Sequence, residues 1–365
     1  MSFRLFQELI EQIKDIVGYE FGIIDNSGVV VASSDESKEG QPLENIYDEL
    51  TAQSNVYFME IDGILYEKVY IKRKLEFITY IKSVTQDARK ILSLISMNVK
   101  NSKVYYDEKY DKINFMRSII TDNILLGDIS VRAKDLHIKS EVLRQVFLIN
   151  TGKSKDMQVH DVLCGLFPDD KKDFVIVSDE ERIVVIREVG VEEDDEGYAN
   201  KLGKSIADTI SAEAMEKVRV GISTVVSDLR DIHRAYKEAE MAITIGRVFQ
   251  NDKQVINYNR LGIGRLIYQL PTTLCRLFLK EVFRNDSFET LDTETVVTIQ
   301  KFFENSLNVS ETARQLFIHR NTLVYRLDKI QKATGLDLRM FDDAIIFKVA
   351  MLVKNYLDHS EFLGY

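Results

Sequence analysis

No apolar run in this 365-residue chain approaches the ~20 positions that a membrane-crossing helix requires, so no membrane partner is expected. The opening SFRLFQELIEQI is amphipathic and acidic, which is not the pattern of a secretory signal. Only two cysteines occur, Cys164 and Cys275, and neither has metal-ligand spacing around it, which suits a reducing cytoplasm. The histidines, His137, His160, His233, His319 and His359, are dispersed and form no ligand set. Gly262-Ile263-Gly264 lacks the third glycine and the strand context of a dinucleotide fingerprint, and reads as a helix start. There is no Gly-rich phosphate loop, no nucleophile elbow and no internal repeat. No catalytic residue, metal or cofactor is therefore expected.

What is present is an ordinary globular composition, 45% hydrophobic and 29% charged, long enough for two to four domains. The net charge of −10 argues against a chain coated in nucleic acid, but leaves room for a local patch. Between Ser306 and Arg339 stand six Lys/Arg against three Asp/Glu, a focused positive region on an acidic body.

Periodicity divides the chain. Phe3, Phe6, Leu9, Ile10, Ile13, Ile16 and Val17 make a helical stripe. Phe21 to Ile24 and Val29 to Ala32 are strand-like, joined by Asp25-Asn26-Ser27-Gly28, residues that tolerate a hairpin's positive φ. Three more strand-like runs follow, Val56 to Ile61, Ile64 to Ile71 and Phe77 to Val84, with Asp62-Gly63 as a turn. Helix, two strands, a loop and a meander is the order of a small PAS/GAF-like α+β sensor. Thr85 to Leu126 has neither Gly nor Pro and keeps helical spacing at Ile91, Leu94, Ile95, Ile113, Met116, Ile119 and Ile120. Helical throughout, it would reach ~60 Å. A break is expected at Lys103 to Asp111. The stretch reads either as a signalling helix that makes a homodimer or as a helix packed on its own domain.

Residues 143 to 250 alternate. Leu143 to Asn150 is a strand, and Phe174 to Val177 with Arg182 to Val189 form a hairpin. Ala199 to Ala212 is a helix, Val218 to Ile222 a strand, Leu229 to Ile245 a helix, and Gln254 to Tyr258 closes the sheet. This is the order of a ferredoxin-like α/β domain of the nucleotide-cyclase type. Glu192 to Glu196 reads as a solvated acidic loop. The remainder is helical, with a helix from Pro271 to Arg284, another from Thr293 to Asn305 and a last one from Phe341 to Leu357.

Leu307 to Leu336, LNVSETARQLFIHRNTLVYRLDKIQKATGL, writes two short amphipathic helices in succession. Ser310 is positioned to cap the first, with Ala313 and Leu316 facing inward, and Leu323, Leu327 and Ile330 form the buried stripe of the second. The second opens on polar and basic residues, the layout of a helix-turn-helix whose second helix enters a groove of double-stranded DNA. Arg320, Asn321 and Tyr325 are the expected base contacts, and His319, Thr322, Arg326 and Lys329 the expected phosphate contacts. A solvated basic helix pair that binds a protein is the alternative.

The string ETARQLFIHRNTLVYRLDKIQKATGLDLRMFDDA resembles the C-terminal signature of the CdaR/PucR family of bacterial transcription regulators, with HRNTL-x-YRL-x-KI at His319 to Ile330 and TGLD-x-R-x-F-x-D at Thr334 to Asp343. VRVGISTVVSDLRDIHRAYKEAEMAITIGR is similar to the late strand and helix of the degenerate GGDEF-like domain of these regulators, and NFMRSIITDNILLGDISVRAKDLHI to its start. The resemblance runs from Asn114 to Leu357 and implies a non-catalytic regulator. A diguanylate cyclase needs the glycines of its Gly-Gly-Asp-Glu-Phe hairpin, whereas the corresponding Val177-Ser178-Asp179-Glu180-Glu181-Arg182 has none. The rival enzyme reading is a nucleotide-binding or cyclase-like signalling protein. Upstream, IIDNSGVVVASSDESKEGQPLENIYDEL resembles the family's sugar-diacid recognition segment at Asp25, Gly28, Ala32, Ser33, Asp35 and Gly40. It departs at Ser37-Lys38-Glu39, which replaces a Pro-Glu-Arg region, and no His follows Gly40. Ser33, Ser34, Ser37 and Lys38 offer hydroxyls and one ammonium to a small anionic effector such as a carboxylate; the alternative is a polar loop after a strand.

The expected architecture is multidomain, α/β followed by all-α. Residues 1–84 form a PAS/GAF-like sensor, 85–138 a helical linker, and 139–260 a degenerate GGDEF-like domain. Residues 261–365 form a helical domain with the helix-turn-helix at 307–336.

Overall fold

The computed structural model describes residues 2–52, 57–152, 157–190, 196–249, 253–283, 288 and 291–363. The acidic segment 192–195, Val56 and Arg284 therefore lie outside the described residues. The chain divides into two compact units, Met1–Asn114 and Phe115–Tyr365.

In the first unit, α1 (Ser2–Val17) leads into β1 (Phe21–Asp25) and β2 (Val30–Ser33). Then come α2 (Glu44–Ala52), β3 (Phe58–Ile61), β4 (Ile64–Ile71), β5 (Lys74–Ile81) and α3 (Gln86–Ile120). The five strands form one antiparallel sheet in the order β2-β1-β5-β4-β3. Period-2 alternation gives the sheet two apolar faces. Phe21, Ile23, Val31, Val69 and Phe77 pack on Phe6 and Ile10 of α1 and on Leu92, Ile95 and Val99 of α3. Ile24, Val30, Tyr66, Ile78 and Tyr80 pack on Leu50 of α2. Ile16, expected in the stripe of α1, is 82% exposed. The last strand begins earlier than expected, because Lys72 and Arg73 both take positive φ (48° and 68°) and close a two-residue hairpin there.

No break occurs at Lys103 to Asp111, since α3 runs for 35 residues. It ends at Ile120, and a separate α4 (Leu126–Asp135) follows. The break lies at the end of α3 because Asp122 adopts φ 56°, and the amides of Asp122 and Asn123 close on the carbonyls of Ile119 and Ser118. This is a Schellman ending without glycine.

In the second unit β6 (Arg144–Asn150), α5 (Met157–Leu166), β7 (Asp173–Val177), β8 (Arg182–Glu188), α6 (Glu196–Glu213) and β9 (Arg219–Val226) follow the β-α-β-β-α-β order. α5 was not expected from periodicity. α7 (Ile232–Phe249) and β10 (Val255–Asn257) complete the layer, with β10 parallel to β9 and sheet order β10-β9-β6-β8-β7. Gly221 lets α7 lie against β9, because a Cβ there would stand 2.2 Å from the Ala239 carbonyl oxygen. At the start of α7, His233 Nδ1 meets the Ile120 carbonyl oxygen at 2.9 Å and ties down the end of α3.

The helical remainder is α8 (Gly264–Gln269), α9 (Thr272–Val282), α10 (Thr293–Glu304), α11 (Val309–Gln315), α12 (Arg320–Thr334) and α13 (Phe341–Leu363). Ile299 and Phe302 of α10, Ala313 of α11, Leu323, Leu327 and Ile330 of α12, and Phe347 and Ala350 of α13 share one core. No described helix is long and apolar enough to cross a membrane.

Candidate nucleic-acid interface

α12 is fixed from below. Leu323, Leu327 and Ile330 are fully buried, each worth roughly 1.5–3 kcal/mol of transfer free energy. α11 is capped by Asn308, whose side chain accepts from the Glu311 amide at 3.0 Å; Ser310, the expected cap, lies inside the helix. α11 then closes through Phe317 N–H to the Arg314 carbonyl (3.2 Å) and Ile318 N–H to the Ala313 carbonyl (3.0 Å). His319 caps α12, its Nδ1 accepting from the Asn321 amide at 3.2 Å. With Nδ1 used as an acceptor, the opposite ring nitrogen faces outward as a donor.

Arg320, Asn321 and Thr322 are exposed, and among the described residues their side chains make no hydrogen bond. Tyr325 is 70% exposed. The structure thus brings His319, Arg320, Asn321, Thr322 and Tyr325 together at the open end of α12. Arg326 and Lys329 have different surroundings. Arg326 donates to Thr298 Oγ1 (3.0 Å) and Glu294 Oε2 (2.8 Å), and Lys329 pairs with Asp292 Oδ2 at 2.5 Å. The Lys329 hydrogen bond, helped by Thr295, holds the Asp292 carboxyl far below the usual carboxylate range. Two of the residues expected at phosphates therefore seat α12 on α10. Their partners lie about thirty residues upstream in sequence, with no local spacing to reveal them.

The polar groups of the TGLDLR segment bond within the chain, and Leu338 is buried. Gly335 takes φ 82° and ends α12. Arg339 pairs with Asp328 at 2.9 Å and Asp337 at 2.7 Å, while Asp343 accepts from the Asp337 amide at 2.9 Å. These bonds join the end of α12 to the start of α13.

The polar loop of the first unit contrasts with this open end. Ser33 is buried, its hydroxyl 2.9 Å from that of Tyr80. Ser34 Oγ accepts from the Phe21 amide at 3.0 Å, and Ser37 Oγ donates to Asp35 Oδ1 at 2.6 Å. Lys38 pairs with Glu20, which Lys82 also approaches at 3.3 Å. Burial pushes the Glu20 carboxyl up, but the two ammonium groups outweigh it and hold the group below its ordinary value. In the β7–β8 turn, Asp179 accepts from the Glu181 amide at 2.9 Å and pairs with Arg182 at 3.1 Å.

Comparison with known proteins accords with this division. Residues 295–353 match the PucR C-terminal helix-turn-helix domain, and residues 123–245 match the GGDEF-like domain. The chain is 24% identical over 149 residues to the purine catabolism regulatory protein of Bacillus subtilis (strain 168), covering 40% of this chain and 28% of that protein. It is 28% identical over 146 residues to the carbohydrate diacid regulator of Escherichia coli (strain K12), covering 37% of this chain and 35% of that one. Against the proline-responsive transcriptional activator PutR of Bacillus subtilis (strain 168), identity is 28% over 132 residues, 34% of this chain and 31% of the relative. The matches thus span about a third of the length of these relatives. With a GGDEF-like domain and a PucR C-terminal helix-turn-helix domain in one polypeptide, the chain is similar to the regulators of the CdaR/PucR family.

Proposed function

We propose that this chain is a sequence-specific, DNA-binding transcriptional regulator that acts in the cytoplasm as a homodimer. The observation that carries the reading is the open end of α12: basic and amide side chains, unspent on the fold, at the N-terminus of a helix whose other face is fully buried. Arg320, Asn321 and Tyr325 address base edges, and His319 and Thr322 address phosphates. Arg326 and Lys329 join them at phosphates while seating α12 on α10. The family's relatives include proteins named as regulators and as a transcriptional activator, which supports the same reading.

The first unit serves as the PAS/GAF-like sensor of a small effector. Support comes from its β2-β1-β5-β4-β3 order with helices packed on both faces. The relatives are named for purine catabolism, carbohydrate diacids and proline, so their names do not converge on one effector. A small carboxylate at Ser33 to Lys38 would have to displace the Lys38–Glu20 pair. Unchanged thermal unfolding across a panel of such acids would remove that class. α3 relays the sensor's state, and it also offers a dimer seam: Leu94, Met97 and Tyr105, more than half exposed, recur on one face. Effector binding resets the packing of α3 and with it the spacing of two recognition helices. The GGDEF-like domain acts as a scaffold without catalysis, its hairpin lacking both glycines; turnover of GTP with magnesium would overturn this.

Genomic footprinting of the full chain would define its operator, and titration of that operator at several salt concentrations tests the reading. The expected result is two chains per site, with affinity falling steeply as salt rises. Salt-independent binding would sink the DNA assignment, and one chain per site would sink the dimer.

A further inference from the structure

Phe317 stands in the turn between α11 and α12, with φ 55° and 95% of its surface exposed. Both properties run against the residue type. The left-handed region suits glycine at a Schellman ending, and a bulky side chain there is a backbone outlier. An exposed phenyl ring also gains nothing from burial in the folded chain. Of the other non-glycine residues at positive φ after a helix, Asp122, Ser306 and His137 are polar, and Leu307 is partly buried against the helical core. Met215, also exposed at positive φ, follows α6, far along the chain from the recognition helix. Phe317 lies three residues before Arg320. The turn that presents it is pinned on both sides, by the Ile318 amide on Ala313 and by the His319 cap. The ring is thus held at the end of α12 that a helix-turn-helix directs at base edges.

Resting on the DNA-binding reading above, we propose that Phe317 is a sequence-reading residue, packing its ring against a thymine C5-methyl in the major groove beside the bases met by Arg320. Apolar contact with that methyl is the one major-groove feature a phenyl ring can recognise. The surroundings favour DNA over an apolar protein pocket. The exposed residues flanking the turn are Arg314, Gln315, His319 and Arg320, polar or basic side chains that suit a phosphate-walled groove.

The test replaces each operator thymine in turn by deoxyuridine, which removes only the methyl group, and measures affinity for wild type, Phe317→Ala and Phe317→Gly in the full chain. Wild type is expected to lose about four-fold at one position, as the burial of one methyl implies. Both variants should bind more weakly and show no loss at that position. Phe317→Gly should unfold at or above the wild-type temperature, which separates binding from folding. Variants that keep wild-type affinity and the same uracil profile overturn the proposal, as does a wild type indifferent to every uracil. Normal DNA binding with impaired transcription would likewise overturn it, and assign the ring to a protein. Absence of salt-dependent operator binding by wild type would instead mark failure of the underlying DNA reading.

Discussion

Two short polar strings, Ser33 to Lys38 in the first unit and His319 to Thr322 in the second, look alike on paper and differ in what the fold does with them. Ser33, Ser34, Ser37 and Lys38 all have internal partners: Tyr80, the Phe21 amide, Asp35 and Glu20. Within the second string His319 alone is used locally, as a cap, while Arg320, Asn321 and Thr322 are left outward. Polarity in a sequence therefore marks a place that needs partners, not a place that lacks them. A group already bonded must give up that bond before it binds anything else. Arg326 and Lys329 lie between the two cases, half-committed to α10.

The contrast breaks or holds on a pair of substitutions. Ser33→Ala leaves the Tyr80 hydroxyl buried without its partner, so about 1–3 kcal/mol of stability should be lost in denaturant unfolding, with operator affinity unchanged. Arg320→Ala should do the reverse, costing ~1–3 kcal/mol in operator affinity and nothing in stability. A stable Ser33→Ala protein, or an Arg320→Ala protein with unchanged operator affinity, would erase the distinction.

A smaller effect is expected at His319. Removal of the cap in His319→Ala should cost about 1 kcal/mol, and His319→Asn, which caps well, should restore the unfolding midpoint. If Asn restores stability but not affinity, the ring itself touches DNA. The smallest effect concerns Asp292→Asn, which can still cap α10 but releases Lys329. The slope of log affinity against log salt should steepen by about 1. An unchanged slope removes Lys329 from the phosphate set.

How much was legible followed from how local the cause was. The buried stripe Leu323, Leu327 and Ile330 came from 3.6-residue spacing, and the hairpin at Asp25 to Gly28 from residues that tolerate positive φ. The Lys72-Arg73 turn and the end of α3 escape local reading for one shared reason. Each uses a positive φ at a residue other than glycine, Lys72, Arg73 or Asp122, so the usual stop signal is absent. α3 accordingly read as broken at Lys103 to Asp111, where nothing in fact interrupts its hydrogen bonds. Capping by Asn308 rather than Ser310 shows the same limit. Both residues are good caps, and the chain path into α11 chose between them.

By itself the sequence determined the order of the strands, the apolar faces and the residues at the open end of α12, because these depend on neighbours a few positions away. Only the tertiary structure decided which polar groups remain free. The partners of Ser33, Lys38, Arg326 and Lys329 lie between 18 and 47 residues away, and burial and charge pairing across that distance leave no periodic trace.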